Sequence, residues 1–184
     1  TLLDSKGVIK EAIGEERYSL IANEYIKAVE QGKKVIVVNP TNRENDSTSI
    51  KIREKLKDAG LLAEENRQMT VYRSKNWEKA QKKVMSNYDG ETYLIGKSKE
   101  PLRFVKYDRS AKEIVAVAEN NRPVYISKEA VKDFDICEKR EIDVSPGEKL
   151  MLRSTQKHKD GNFTNGEIVT AKGFDGMGRV ITTD

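Results

Sequence analysis

The sequence predicts an α+β chain, with an N-terminal α/β segment followed by small β-barrel units. Three observations carry this. An apolar pattern of helical period runs from Tyr18 to Val29, an uninterrupted β-branched run occupies Val35–Val38, and short strand-like runs separated by turn residues fill the chain from Gly90 onward.

The elements follow in order. Glu15-Glu16-Arg17 opens a helix whose Tyr18, Ile21, Ala22, Tyr25, Ile26 and Val29 share one face, and Gly32 stands where a helix end favours glycine. Val35-Ile36-Val37-Val38 reads as a strand covered on both faces, as in a parallel sheet. Asn39-Pro40-Thr41-Asn42 breaks it, and a second helix is expected from Ser47 to Ala59, with Ile50, Leu56 and Ala59 on its packed side and Gly60 as its stop. Met69–Tyr72 is a strand, and Asn76–Tyr88 a helix with Trp77, Ala80, Val84 and Tyr88 along one face. The strands expected beyond are Tyr93–Ile95, Leu102–Tyr107, Glu113–Ala118, Arg122–Ile126, Lys149–Arg153, Glu167–Phe174 and Arg179–Thr182, with a capped helical turn from Ser127 to Phe134. Tyr88-Asp89-Gly90-Glu91 and Ser145-Pro146-Gly147-Glu148 each introduce a β unit, a weak internal repeat over residues 88–127 and 145–184. The expected division is 1–72 and 73–184.

Composition narrows the chemistry. The 184 residues carry 34 Lys+Arg against 30 Asp+Glu, a net charge of +4, and no stretch approaches the apolar length of a membrane span. One cysteine, Cys137, excludes a disulfide framework, and one histidine, His158, excludes a histidine-rich metal centre. The start at Thr1 reads as a piece of something longer, in a reduced, cytoplasm-like setting. The charge is uneven: Arg73–Arg109 holds ten basic residues against five acids, while Ser110–Glu148 holds nine acids against six bases. A basic stretch beside an acidic one makes a one-sided face for polyanions, or simply a solvated surface.

Enzymatic motifs are missing. There is no G-x-x-x-x-G-K-[ST] phosphate loop, no G-x-G-x-x-G opening a helix and no H-E-x-x-H, so no catalytic residue is assigned. Asp133 and Asp135 read as a solvated carboxylate pair. Asn39-Pro40-Thr41-Asn42-Arg43 offers a hydroxyl and free helix amides to a phosphate, or else an ordinary cap. Tyr93, Phe104, Tyr107, Phe163 and Phe174 lie among basic residues, as stacking platforms for bases do, although aromatics in strands usually fill cores; one or two are expected to be exposed.

Val35–Glu44 (V-I-V-V-N-P-T-N-R-E), with Ile52-Arg53-Glu54-Lys55-Leu56 and Gly60-Leu61, resembles the second motor domain of RecD-like superfamily-one helicases. The likeness is strongest to the helicase part of MobF-class conjugative relaxases of the TraI/TrwC type. Asn76-Trp77, Tyr88–Glu91, Pro146–Leu150, Arg153-Ser154-Thr155 and Asn165–Val169 resemble the β insertion, 2B, of the same proteins, so the likeness runs in order from Glu15 to the end. The resemblance implies part of a RecA-like motor domain (2A) followed by an SH3-like 2B insertion. The parent would be a bacterial cytoplasmic enzyme that uses ATP and Mg²⁺, whereas this stretch would need no cofactor and would act as a monomer. It implies single-stranded DNA as partner, met by Thr41, Asn42, Arg73, Arg103, Lys106 and Arg153, with Arg43 approaching the nucleotide. It also implies two other roles: a translocation signal that docks a type IV secretion coupling protein, or a piece of a RecD-like repair helicase. Gly-Glu stands here where the family more often has Gly-Asp.

Overall fold

The computed structural model describes residues 9–153, 156–158 and 161–183. The chain is α+β, with a six-stranded antiparallel sheet and a separate three-stranded one. Two compact units are present: Thr1–Arg67 with Val144–Asp184, and Gln68–Asp143, which interrupts the first in sequence.

In the first unit, helix α1 (Glu16–Glu30) buries Tyr18 and Ala22 against helix α2 (Asn42–Asp58), and Gly32 follows α1 at φ 71°, a conformation only glycine adopts freely. The second helix begins five residues before the expected Ser47, because Thr41 caps it. The Thr41 hydroxyl accepts the Glu44 N–H at 3.2 Å, which offsets one of the unpaired amides of the first turn. Thr48 is its buried residue, and Ile50, expected on the packed side, is 58% exposed.

The buried parallel strand expected at Val35–Val38 does not form. The segment lies outside every strand pairing, with Val35 and Val37 half-buried and Ile36 and Val38 at 88% and 84% exposed. Its β-branched residues favour extended backbone, but among the described residues no strand lies beside it to take up its N–H and C=O groups. The rest of this unit is β-structure: β7 (Lys149–Met151), β8 (Gln156–His158), β9 (Gly161–Phe163), β10 (Ile168–Phe174) and β11 (Val180–Thr183). The order is β11-β10-β7, with β8-β9 as a separate hairpin.

A polar cluster fixes the entry to β7. Arg53 of α2 donates to Glu148 at 3.3 Å and to Ser145 Oγ at 2.8 Å, and it also donates to Asn66. Ser145, fully buried, donates its N–H to Glu148 at 3.0 Å. Gly147 follows at φ 97°, with the Leu61 carbonyl 3.5 Å from where a Cβ would stand.

The second unit is built on β1 (Arg67–Ser74), β2 (Thr92–Ile95), β3 (Pro101–Asp108), β4 (Glu113–Val117), β5 (Pro123–Ser127) and β6 (Asp135–Val144), ordered β1-β6-β2-β3-β4-β5. One face carries the core of Leu94, Leu102, Phe104, Ile114, Ala116, Ile126 and Ile136, with Tyr88 and Val131 packed on it. The helix expected over Asn76–Tyr88 shrinks to α3 (Lys79–Lys82) and a 3-10 turn, Met85–Asn87. Asn76 takes φ 53° and Val84 extended backbone, which lets Trp77, Met85 and Tyr88 reach the core from a broken segment. Strand β6 is a finding beyond the sequence reading. Among the described residues the six-stranded sheet does not close, since β1 and β5 remain as edges.

A hydrogen-bonded turn precedes each of the strands β2 and β7. Thr92 N–H bonds the Asp89 carbonyl at 3.1 Å while the Thr92 hydroxyl accepts the Asp89 N–H at 3.3 Å. Glu148 N–H likewise bonds the Ser145 carbonyl at 3.1 Å while the Glu148 carboxylate accepts the Ser145 N–H. The two turns sit one residue apart in the alignment of Tyr88–Glu91 with Ser145–Glu148, so they do not reproduce the repeat.

Candidate nucleic-acid interface

The open face of the six-stranded sheet holds the candidate site. Side chains alternate across a strand, and directly paired residues share a face. Tyr93 pairs with Cys137 on one side and Arg103 on the other, and Arg103 pairs with Val117. This row lies opposite the core row of Leu94, Leu102 and Ile136. A second row follows, in which Lys106 pairs with Val115 and Val115 with Tyr125.

Arg103 and Lys106 would point to opposite faces of a regular strand. A bulge between Phe104 and Lys106 inserts Val105 as an extra residue, and so brings both cations to the open face. Among the described residues neither has an ion-pair partner, and both are exposed.

Tyr72 of β1 packs on Tyr93, ring centroids 5.0 Å apart and planes at 57°. Burial, then the neighbouring Tyr93, raises the Tyr72 phenol above its ordinary range. The Tyr72 phenol thus stays a neutral hydrogen-bonding group rather than an anion in this setting. Lys139 stands two residues from Cys137 on the same face of β6 and pairs with Glu141 at 3.4 Å. Around these lies a pocket of about 180 Å³ bounded by Tyr72, Tyr93, Pro101, Arg103, Val117, Ala118, Glu119, Asn121 and Lys139. Aromatic rings flanked by unpaired cations on an open sheet suit a single-stranded polyanion whose bases can stack.

The sequence-predicted residues divide as follows. Arg103 and Lys106 come together here. Arg73 takes the opposite face of β1 from Tyr72 by strand alternation, and it is already engaged in an interaction of its own. Thr41, Asn42 and Arg43 lie at the start of α2, and Arg153 just beyond β7, all in the first unit. Thr41 donates its hydroxyl to Glu44 at 2.9 Å, and Glu44 is paired with Arg17 at 2.6 Å. The hydrogen bond from Thr41, then Arg17, holds the Glu44 carboxyl below its ordinary value. A fixed anion already sits on this helix end, which disfavours a second one. Arg43 is exposed on the first turn. The larger cleft, about 400 Å³ along α1 and α2, is lined by none of these residues.

Of the aromatic set, Phe104 is core and Tyr107 packs against it, Phe174 lies 5.3 Å beneath the Arg67 guanidinium, and Tyr93 alone of the five joins the open face described above. Sequence reasoning missed Tyr72, Tyr125 and Lys139. Period-two alternation would have placed each on a face, but only strand order shows which faces meet. The side chain of His158 lies outside the described residues. Among those described, no cluster of His, Cys, Asp and Glu could hold a metal, and no helix is long and apolar enough to cross a membrane.

No family model matches the chain, and no curated protein matches it in sequence.

Proposed function

We propose that this chain binds single-stranded DNA, without catalysis of its own, through the open face of the six-stranded sheet. The observation that carries the reading is the convergence of half-buried Tyr72 and Tyr93 with exposed Arg103 and Lys106, from β1, β2 and β3, on the sheet face opposite the core. Stacking on the tyrosines tolerates any sequence, and the cations neutralise phosphates. Within the resemblance to conjugative relaxase-helicases, the two β regions stand for the SH3-like 2B insertion and the helical segment for part of the 2A motor. The missing phosphate loop fits an accessory piece, with ATP turnover and nicking carried elsewhere in the parent. The test is fluorescence anisotropy with a labelled twelve-nucleotide oligo-dT at about 50 mM salt, where electrostatic binding is strong. Saturable binding that Arg103→Ala and Lys106→Ala each weaken supports the reading. An intact protein that leaves the oligonucleotide unbound contradicts it.

A further inference from the structure

The pocket at the end of the stacking face has a chemistry beyond phosphate and ring contacts. Its wall is Tyr72 and Tyr93, its apolar edge Pro101 and Val117, and its volume, about 180 Å³, is on the scale of one nucleobase. Two of its polar groups come from one tight turn. Ala118 N–H bonds the Arg122 carbonyl at 3.0 Å and Asn121 N–H bonds the Ala118 carbonyl at 2.9 Å, which fixes Glu119 and Asn121 at the rim. Among the described residues Glu119 has no ion-pair partner, although Arg103 and Lys139 line the same pocket.

This donor and acceptor set is asymmetric. The Glu119 carboxylate only accepts, Arg103 and Lys139 only donate, and the Asn121 amide does both. Guanine alone presents two adjacent donors, N1–H and N2–H, with O6 and N7 as acceptors beyond them. Its donors suit the carboxylate, and its acceptors suit the cations. Adenine and cytosine offer the carboxylate one donor beside an acceptor, and thymine flanks its single donor with two acceptors. We infer that this pocket, given the single-stranded DNA reading on which it depends, takes one guanine from the strand and reads its Watson–Crick edge through Glu119. The chain would then bind DNA broadly by stacking and favour strands that place a guanine at one position.

The experiment uses the full chain and four labelled twelve-nucleotide strands, oligo-dT and the same strand with one central dG, dA or dC, read by anisotropy. The dG strand is expected to bind about five- to tenfold tighter than oligo-dT, the lower part of the range for a good base-edge pair. Glu119→Gln, an exposed turn substitution, should bring the two within about twofold while oligo-dT affinity holds or rises, since a negative charge is removed. Circular dichroism of the variant checks that the fold is retained. Equal affinity for all four strands overturns the guanine pocket and leaves the DNA reading standing. A guanine preference that survives in folded Glu119→Gln also overturns it. No binding to any strand overturns both together.

Discussion

Arg53 and Cys137 show how single side chains are committed to the fold. Arg53 reaches from α2 to Glu148 and Ser145, which belong to the turn that starts β7, and to Asn66, just before β1. Arg53→Met keeps the stem but leaves the half-buried Glu148 carboxylate without its cation, so a loss of about 1–3 kcal/mol is expected in chemical denaturation. An unchanged denaturation midpoint would remove the cluster from the stability account. Cys137 is 2% exposed on β6, and burial, then Asp135, pushes its thiol up to about 12. The thiolate is the reactive form, so at pH 8 the native protein should resist a thiol reagent such as DTNB and react fully only in guanidinium. Fast labelling of the native chain would contradict the burial of Cys137 on β6.

Strand β3 turns an irregularity into a surface. Its bulge supplies one extra residue, Val105, 47% exposed, and sets Arg103 and Lys106 on the same side. Deleting Val105 restores plain alternation without moving Lys106 to the core face, because Arg103, Phe104 and Lys106 would then alternate as they do now. The deletion is therefore expected to keep the melting temperature within a few degrees and to retain DNA binding, whereas a large loss of both would assign Val105 a packing role. The elements also show where sequence stops being legible. Helix α1 could be read because its apolar residues recur at the helical period. Val35–Val38 could not, since β-branched residues specify extended backbone but not a neighbour to pair with. Asn76–Tyr88 has helical spacing, yet Asn76 at positive φ and extended Val84 interrupt it, and the spacing instead delivers Trp77 and Tyr88 to the core. Strand β6 is masked by its charges, Glu138 to Asp143, which disguise a strand lying between β1 and β2. The site was half legible for the same reason: Tyr93, Arg103 and Lys106 lie close in sequence, while Tyr72 and Lys139 join them only through the order β1-β6-β2.

At the scale of the whole chain, charge bears on stability and on the proposed DNA binding. Several carboxylates are held below their ordinary values: Glu44 by Thr41 and Arg17, Asp89 by the Thr92 hydroxyl and Lys75, and Asp175 by the backbone N–H and side chain of Arg179. A depressed folded-state pKa favours the folded chain above the ordinary value and is lost as pH falls through the folded one. Stability should therefore be flat above about pH 4.5, the ordinary glutamate value, and decline on acidification below it, measured as the urea midpoint against pH. A decline beginning near neutrality would point to another titrating group. The modest net charge of +4 matters less than where cations gather. Arg103, Lys106 and Lys139 on one face can neutralise about three phosphates, so log K against log salt should fall with a slope of about −2 for single strands. The most direct test is oligo-dT binding by the full chain beside Tyr93→Ala, with its fold verified by circular dichroism. Binding that weakens about tenfold in the variant, as loss of one stacked base requires, is the predicted result. Equal affinity of the two proteins would contradict the open sheet face as the DNA site.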